Sequence, residues 1–443
     1  MKQTQWGSRL GFVLATAGAA IGLGNLWKFP YLMGRNGGFP FLLVYLAFVV
    51  VLGVPVLMLE MSLGRYTGRD PVQSYKQVNP KAGIVGVCGV LAAFVILSYY
   101  SVIGGWILKY IFNYATSFSA PADFSAFIAS GPETVLWHFL FMAAVVAVCL
   151  AGVGGIEKAN KFMMPALAVL LVVVILRSVT LPGAMDGIRF IFMPGGEGGG
   201  FTLSSISAAL GQVFYSLSLC MGITITYGGY LKKGENIPKS SITVAVMDTV
   251  MAVLAGLAIF PAVFSFGLEP ASGPSLIFST LPQVFAALPG GPVWALAFFA
   301  LVCFAALTSA IALLEVPISF AMDSWGMSRK AAAFTMGAGV FALGVPSALA
   351  FGPLANATVA GYNFFDLMGV LTDNILLPLG GILMCWFLAW RWDMGRLTAE
   401  LQDGCPGFKL GKLWAGCIRY LVPILVIVVT VTGLIGIYQT ITG

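Results

Sequence analysis

Three groups of residues stand where chemistry is possible inside segments that are otherwise apolar. The first is Gly18-Ala19-Ala20-Ile21-Gly22-Leu23-Gly24-Asn25, with three glycines in seven residues and an amide side chain behind them. The second is Ser216-Leu217-Ser218-Leu219-Cys220-Met221-Gly222. Each lies near the middle of an apolar run, where helix-breaking sequence survives only if the freed backbone groups meet protein, water or ligand. A broken helix offers half-helix N–H groups, which suit an anion, and unwound carbonyls, which suit a small hard cation. In the third group Ala305, Thr308 and Ser309 stand at i, i+3 and i+4, so they share one helix face and present two hydroxyls. The carboxylate of Asp248 falls in an apolar run, and a charge at that depth calls for a cation or a proton beside it. This is the chemistry of holding ligands. A single His138 and scattered carboxylates supply neither a nucleophile with its base nor a metal set, so an enzyme is not expected.

The elements that must position these groups are membrane helices. Of 443 residues, 59% are hydrophobic and only 9% charged, and mean hydropathy is +0.94, so the bilayer is the main solvent. Eleven apolar runs are long enough to cross about 30 Å of hydrocarbon. They fall near 9–32, 38–64, 83–113, 134–152, 160–178, 204–231, 239–267, 291–322, 329–346, 361–390 and 412–440. No long strand alternation suggests an outer-membrane barrel, and the N-terminus shows no cleavage-site pattern, so the first run is read as a retained helix. With the N-terminus in the cytoplasm, most Lys and Arg fall in inner loops. Only Lys28, Arg35, Lys109, Arg177 and Arg189 are left for the other side, and the odd span count then puts the C-terminus outside.

No basic run looks like a nucleic-acid site. Seven cysteines show neither disulfide nor metal-ligand spacing, and His138 reads as a satisfied side chain near the membrane interface. The glycine run of 194–200 lacks the Lys-Ser/Thr of a phosphate loop. The stretch 268–290, with Pro270, Pro274, Pro282 and Pro289, reads as a re-entrant or capping loop. Small residues in a span also serve close helix packing. Two broken spans five apart, at corresponding places in two halves, instead point to an inverted-repeat carrier with a site at the midplane. The halves are 9–178 and 204–390, with 412–440 as an additional helix, all in one domain of 1–443.

Trp6-Gly-Ser-Arg9-Leu-Gly, Gly22-Leu23-Gly24-Asn25-Leu-Trp-Lys28-Phe29-Pro30-Tyr31 and Asn36-Gly-Gly resemble the opening signature of the neurotransmitter:sodium symporter family. So do Pro55…Glu60…Gly64-Arg65-Tyr66, Tyr99-Tyr100, Gln212…Ser216-Leu-Ser218 and Leu307-Thr308-Ser309, in order along nearly the whole chain. Eleven spans match the shorter bacterial branch. The resemblance implies an all-α leucine-transporter-type fold in a bacterial inner membrane and coupled entry of sodium with an amino acid or a related amine.

On that resemblance a substrate carboxylate meets the first break at Ala20, Gly22, Leu23 and Gly24, with the Tyr100 phenol beside it. Ile96 lies one turn before Tyr100 on the same face. Tyr215, Ser218, Met221, Ser309 and Leu313 complete a mostly apolar side-chain pocket without a fixed charge, which fits a neutral hydrophobic L-amino acid. Met221 is adaptable, and Cys220 stands where relatives commonly have glycine.

One sodium is implied at Ala20, Asn25, Ser216 and Asp248, shared with the substrate carboxylate, so that each ligand stabilises the other. A second is implied at Gly18, Ile21, Ala305, Thr308 and Ser309. Asp248 stands where most relatives carry Asn, beside Tyr45, Gln212 and Ser216, which resemble chloride ligands of animal relatives; transport independent of chloride is expected.

The implied outer gate is Lys28, in place of the usual Arg, over Tyr215. Its acidic partner is expected near Gly369, and Asp366 is the candidate. On the inner side Asp323 resembles the gate acid, with Lys2 or Arg9 as its partner and Trp6 packed over it. Gly155 and Pro165 keep a family spacing in the fifth helix. Pro165 withholds a donor there and weakens the inner end of that helix, giving water a path to the second sodium. A channel would need a continuous polar track, which the two central clusters do not make. A sensor that binds an amino acid without moving it is the alternative reading.

Overall fold

The computed structural model describes residues 5–194, 201–268 and 276–442. Lys2, the glycines of 195–200, Pro270 and Pro274 lie outside the described residues. Among those described, nine helices are long and apolar enough to cross a bilayer: Phe39–Thr67, Pro80–Ser117, Gly131–Leu150, Gly152–Val179, Ile237–Ser265, Gly291–Trp325, Arg329–Leu349, Phe364–Trp390 and Gly411–Gln439. A tenth span is the pair Arg9–Ala20 and Gly24–Arg35, bent by 47°. The pair Leu203–Ser216 and Ile223–Gly229 occupies the place of the sixth predicted run, and neither half is long enough to cross alone. These eleven segments are called here the first to eleventh spans in chain order.

The third and eighth spans contain the longest helices, Gly83–Ser117 and Gly291–Trp325, each of 35 residues. At 1.5 Å per residue such a helix is about 52 Å long, so it passes beyond the hydrocarbon at its ends. The two pack against each other and are the most buried spans; the eleventh is the least buried. Helix starts follow the polar residues of the loops. Ser8, Asp70, Asn236 and Ser328 each accept a backbone N–H from the first turn they precede.

Both breaks have local causes. The first helix ends where Ile21 turns extended (φ −76°, ψ 93°), and the glycines that follow carry no side chain to oppose the bend. In the second, Ser218, Cys220 and Gly222 take φ of 52°, 62° and 74°. Two of these are L-residues in the left-handed region, each at a cost of about 1–2 kcal/mol. Glu60 of the second span offsets that cost by accepting the Cys220 N–H at 3.1 Å and the Thr224 hydroxyl. The Ser218 hydroxyl donates to the Ala19 carbonyl at 3.1 Å and so ties one break to the other.

Two expectations change. The fifth helix begins at Gly152, not near 160: Glu157 pairs with Lys161 in place, and Asn160 is buried with its Nδ2 on the Ile156 carbonyl. His138 is fully buried, not interfacial; its Nε2 meets the Ser101 hydroxyl at 2.9 Å and its ring packs on Phe341. In the described part of 268–290, Phe278 stacks on Phe124 and meets Trp106 and Tyr110 edge-on, which makes this stretch a cap on the third span.

Candidate functional site

The two breaks, the third span and the eighth span enclose one cavity of about 20 Å³. It is lined by Ala20, Gly22, Leu23, Gly24, Ile96, Tyr100, Tyr215, Ser218, Met221, Ser309 and Leu313, together with Ala19. Every residue expected at the substrate therefore borders the same space. The Leu23 N–H donates to the Tyr100 hydroxyl at 3.3 Å, which sets that phenol against the end of the broken helix. Gly22 is required by close approach: a Cβ there would lie 2.3 Å from Ser309 Oγ and 2.9 Å from the Tyr100 oxygen. Ile96, Met221 and Leu313 form the apolar wall. At its present volume the cavity holds about one water.

Beside the cavity, Asp248 is fully buried and held from three spans. Asn25 Nδ2 donates to its Oδ1 at 2.7 Å, Ser216 Oγ to its Oδ2 at 2.8 Å and the Tyr45 hydroxyl to its Oδ2 at 3.1 Å. Gln212 Nε2 donates to the Gly24 carbonyl at 2.9 Å. Asn25, Ser216 and Asp248 thus meet in one group of oxygens next to the first break. Of the other set, Ser309 Oγ donates to the Gly18 carbonyl at 3.2 Å, joining the eighth span to the first, and Thr308 Oγ1 donates to the Ala305 carbonyl of its own helix at 3.0 Å. Apart from the Asn25 amide nitrogen, both groups offer oxygen, which suits a hard monovalent cation better than a transition metal.

The cavity is closed at both ends. At one end Lys28 pairs with Asp373 at 2.7 Å, and its ammonium lies 4.0 Å above the Tyr215 ring. Asp366 is not the partner. It sits in the first turn of its helix, where it accepts from Asn363 Nδ2 at 2.9 Å, two turns from Asp373. Beyond this lid opens a vestibule of about 550 Å³ lined by Lys28, Gln212, Tyr215, Asp373 and the eleventh span.

At the other end Trp6 is buried, donates Nε1 to the Tyr227 carbonyl at 3.0 Å and packs edge-on against Phe12, Tyr227 and Tyr230. The Tyr230 hydroxyl donates to Glu315 at 2.7 Å; Glu315 pairs with Arg329, and Arg329 Nε donates to the Cys149 carbonyl at 2.9 Å. Asp323 accepts the Asp70 N–H at 2.9 Å, while Arg9 is exposed. Asp70 lies between spans; burial, with Asp323 adding to it, pushes its carboxyl up to about 7. Gly155 and Pro165 lie within the unbroken helix Gly152–Val179.

The sodium:neurotransmitter symporter family matches this chain over residues 3–124 and 127–442. The chain belongs to that family. The symporter is 40% identical over 447 residues to the sodium-dependent transporter YhdH of Bacillus subtilis, with 98% of each chain covered. It is 27% identical to the sodium- and chloride-dependent GABA transporter ine of Drosophila melanogaster, over 93% of this chain and 49% of that one. Its structure is similar to that of MhsT in complex with L-phenylalanine, with a TM-score of 0.90 and 42% identity over 97% of this chain and 100% of the other. The symporter is therefore a sodium-dependent transporter of leucine-transporter type, and not an enzyme.

Sequence reasoning missed five contributors to this symporter's site: Glu60, which braces the second break, Asp373, Glu315, Arg329 and Glu157. Glu60 and Glu315 carried a usable signal, since a carboxylate inside an apolar span always has a partner to be found. Glu157 carried none. Its role, accepting the Gly7 N–H and the Ser8 hydroxyl at 2.7 Å each, depends on contacts about 150 residues away.

Proposed function

We propose that the symporter imports a neutral hydrophobic L-amino acid with two sodium ions by alternating access. The observation that carries this reading is the convergence of both helix breaks, Tyr100 and the apolar Ile96–Met221–Leu313 wall on one cavity flanked by two oxygen clusters. The substrate carboxylate binds the N–H groups near Leu23 and Gly24 and the Tyr100 phenol. One sodium sits with Ala20, Asn25, Ser216, Asp248 and that carboxylate; the other sits with Gly18, Ile21, Ala305, Thr308 and Ser309. Because the first ion and the substrate share charge, each raises the other's affinity. The complex of MhsT with L-phenylalanine, a relative at 42% identity, supports an amino-acid substrate. Entry of a side chain requires Tyr215 and Met221 to move, since the cavity is only about 20 Å³.

The Lys28 end faces outside and the Trp6 end the cytoplasm, in keeping with the basic residues clustered in loops on the Trp6 side. The repeats are 9–178 and 204–390, with the eleventh span outside them. Asp248 supplies the negative charge that chloride provides in animal relatives, so uptake is independent of chloride. The pull on the ions is strong: each charge moved is worth roughly 2.3 kcal/mol per 100 mV. The test is uptake of labelled leucine, phenylalanine, tyrosine and tryptophan into proteoliposomes with and without an inward sodium gradient. Accumulation that needs the gradient is expected; binding without accumulation, or accumulation indifferent to sodium, overturns the reading.

A further inference from the structure

The seam between the first and fifth spans holds an oxygen that none of the interactions above uses. Asn160 is fully buried in the fifth span. Its Nδ2 donates to the Ile156 carbonyl at 2.9 Å, which fixes the amide orientation, because a carbonyl oxygen only accepts. The other end, Oδ1, is buried and has no hydrogen-bond partner, a costly state for an amide oxygen unless something visits it. Its surroundings show what it faces. A Cβ placed on Gly18 would lie 2.3 Å from Asn160 Oδ1 and 3.2 Å from the Thr308 Cβ, so the amide oxygen and the Thr308 side chain share the space against Gly18. Gly18 and Thr308 both belong to the second oxygen cluster. Toward the Trp6 end the pattern repeats: Glu157, one turn before Asn160, sits so close to the first span that a Cβ on Gly11 would lie 2.2 Å from its Oε1.

We infer that Asn160 is an ion-handling residue. Its Oδ1 is the next oxygen met by the cation leaving the Gly18–Thr308–Ser309 cluster toward the Trp6 end, and Glu157 follows it. Glycine on the first span and oxygen on the fifth leave a seam in which a small cation exchanges ligands stepwise and is never stripped of all of them. The inference rests on the two-sodium reading above and adds a residue to it. Asn160 does not hold the bound ion; it serves the ion's departure, so its removal slows release and leaves equilibrium binding alone.

The experiment compares wild type, Asn160→Ala and Asn160→Asp. In detergent, labelled phenylalanine or leucine is bound at increasing sodium; in proteoliposomes, net uptake is set against exchange with sodium equal on both sides, which does not require the ion to leave. Asn160→Ala is expected to keep the sodium midpoint for binding within about twofold and to keep exchange, while net uptake slows about tenfold. Asn160→Asp, which retains the oxygen, keeps the wild-type ratio of net uptake to exchange. Should Asn160→Ala fail to fold, Asn160→Leu, close in volume and without the oxygen, takes its place. A normal ratio in the oxygen-less variant, or net uptake and exchange slowed alike, overturns the inference. Wild type that neither binds nor accumulates amino acid with sodium would instead overturn the function reading, so the two failures are distinguishable.

Discussion

The two closures of the cavity are built differently. At the Lys28 end one ion pair, its side chains 31% and 33% exposed, rests on a tyrosine ring. At the Trp6 end the acid of the main pair, Glu315, is fully buried; its partner Arg329 also holds a backbone carbonyl, and four aromatic rings pack alongside. A pair near water is screened and worth about 0–1 kcal/mol. Breaking a buried pair from one side strands a charge, at about 3–5 kcal/mol. The Lys28 end is thus a light latch and the Trp6 end a heavy one, which favours a resting protein that admits ligand at the Lys28 end. The cost of opening the heavy latch must come from relief elsewhere in the molecule.

The contrast is sharpest at Arg329. Arg329→Met leaves Glu315 buried without its cation and is expected to cost about 3–5 kcal/mol, read as a lowered thermal midpoint, with much of the loss recovered in Glu315→Gln/Arg329→Met. Recovery that fails to appear would mean that the charges are not what closes this end. Next comes Trp6→Ala, about 3 kcal/mol from lost ring packing. Amide hydrogen exchange over residues 227–231 should quicken while exchange around Lys28 stays unchanged.

The third effect is one of pH. Asp70, pushed up to about 7 by burial, holds its proton when this end is closed and loses it near the ordinary 3.8 once solvated. The closed form then binds more protons, so closure is favoured in acid and the advantage is lost as pH rises through about 7. The closed-to-open ratio should fall about tenfold from pH 6 to pH 8, roughly 1.4 kcal/mol. Thermal midpoints at the two pH values should show it in wild type and not in Asp70→Asn; equal slopes would remove Asp70 from the closure. Smallest is Lys28→Met, at most about 1 kcal/mol of stability, with faster amino-acid association in stopped-flow binding. A loss as large as that of Arg329→Met would erase the ranking of the two ends.

Much of this was legible in the chain. Glycines and hydroxyls at mid-span announced both breaks, because such residues are disfavoured there unless the backbone has other partners. Asp373 shows where legibility stopped. Asp366 and Asp373 stand three residues before and four after Gly369, so each is one turn away on the same helix face. Only the packing of the tenth span against Lys28 decides between them. The start of the fifth helix was hidden for a related reason: Glu157, Lys158, Asn160 and Lys161 read as a loop until Glu157 is seen to hold the Gly7 N–H and the Ser8 hydroxyl and to pair with Lys161. The positive φ angles of Ser218 and Cys220 had no local signal, since the contacts that hold these residues, Ala19 for Ser218 and Glu60 for Cys220, come from other spans.

Asp248 has a mechanical consequence. By gathering Asn25, Tyr45 and Ser216 it knots the first, second, sixth and seventh spans together at mid-depth. Four helices pinned at one point are expected to turn as a single body, with Thr308 and Ser309 in the frame against which that body turns. Spin labels on the second and seventh spans should keep their mutual distance through the transport cycle, while distances from either to the eighth span change. On the two-sodium reading, a cation between Gly18 and Ser309 is a dowel across the joint that holds rotor and frame in register.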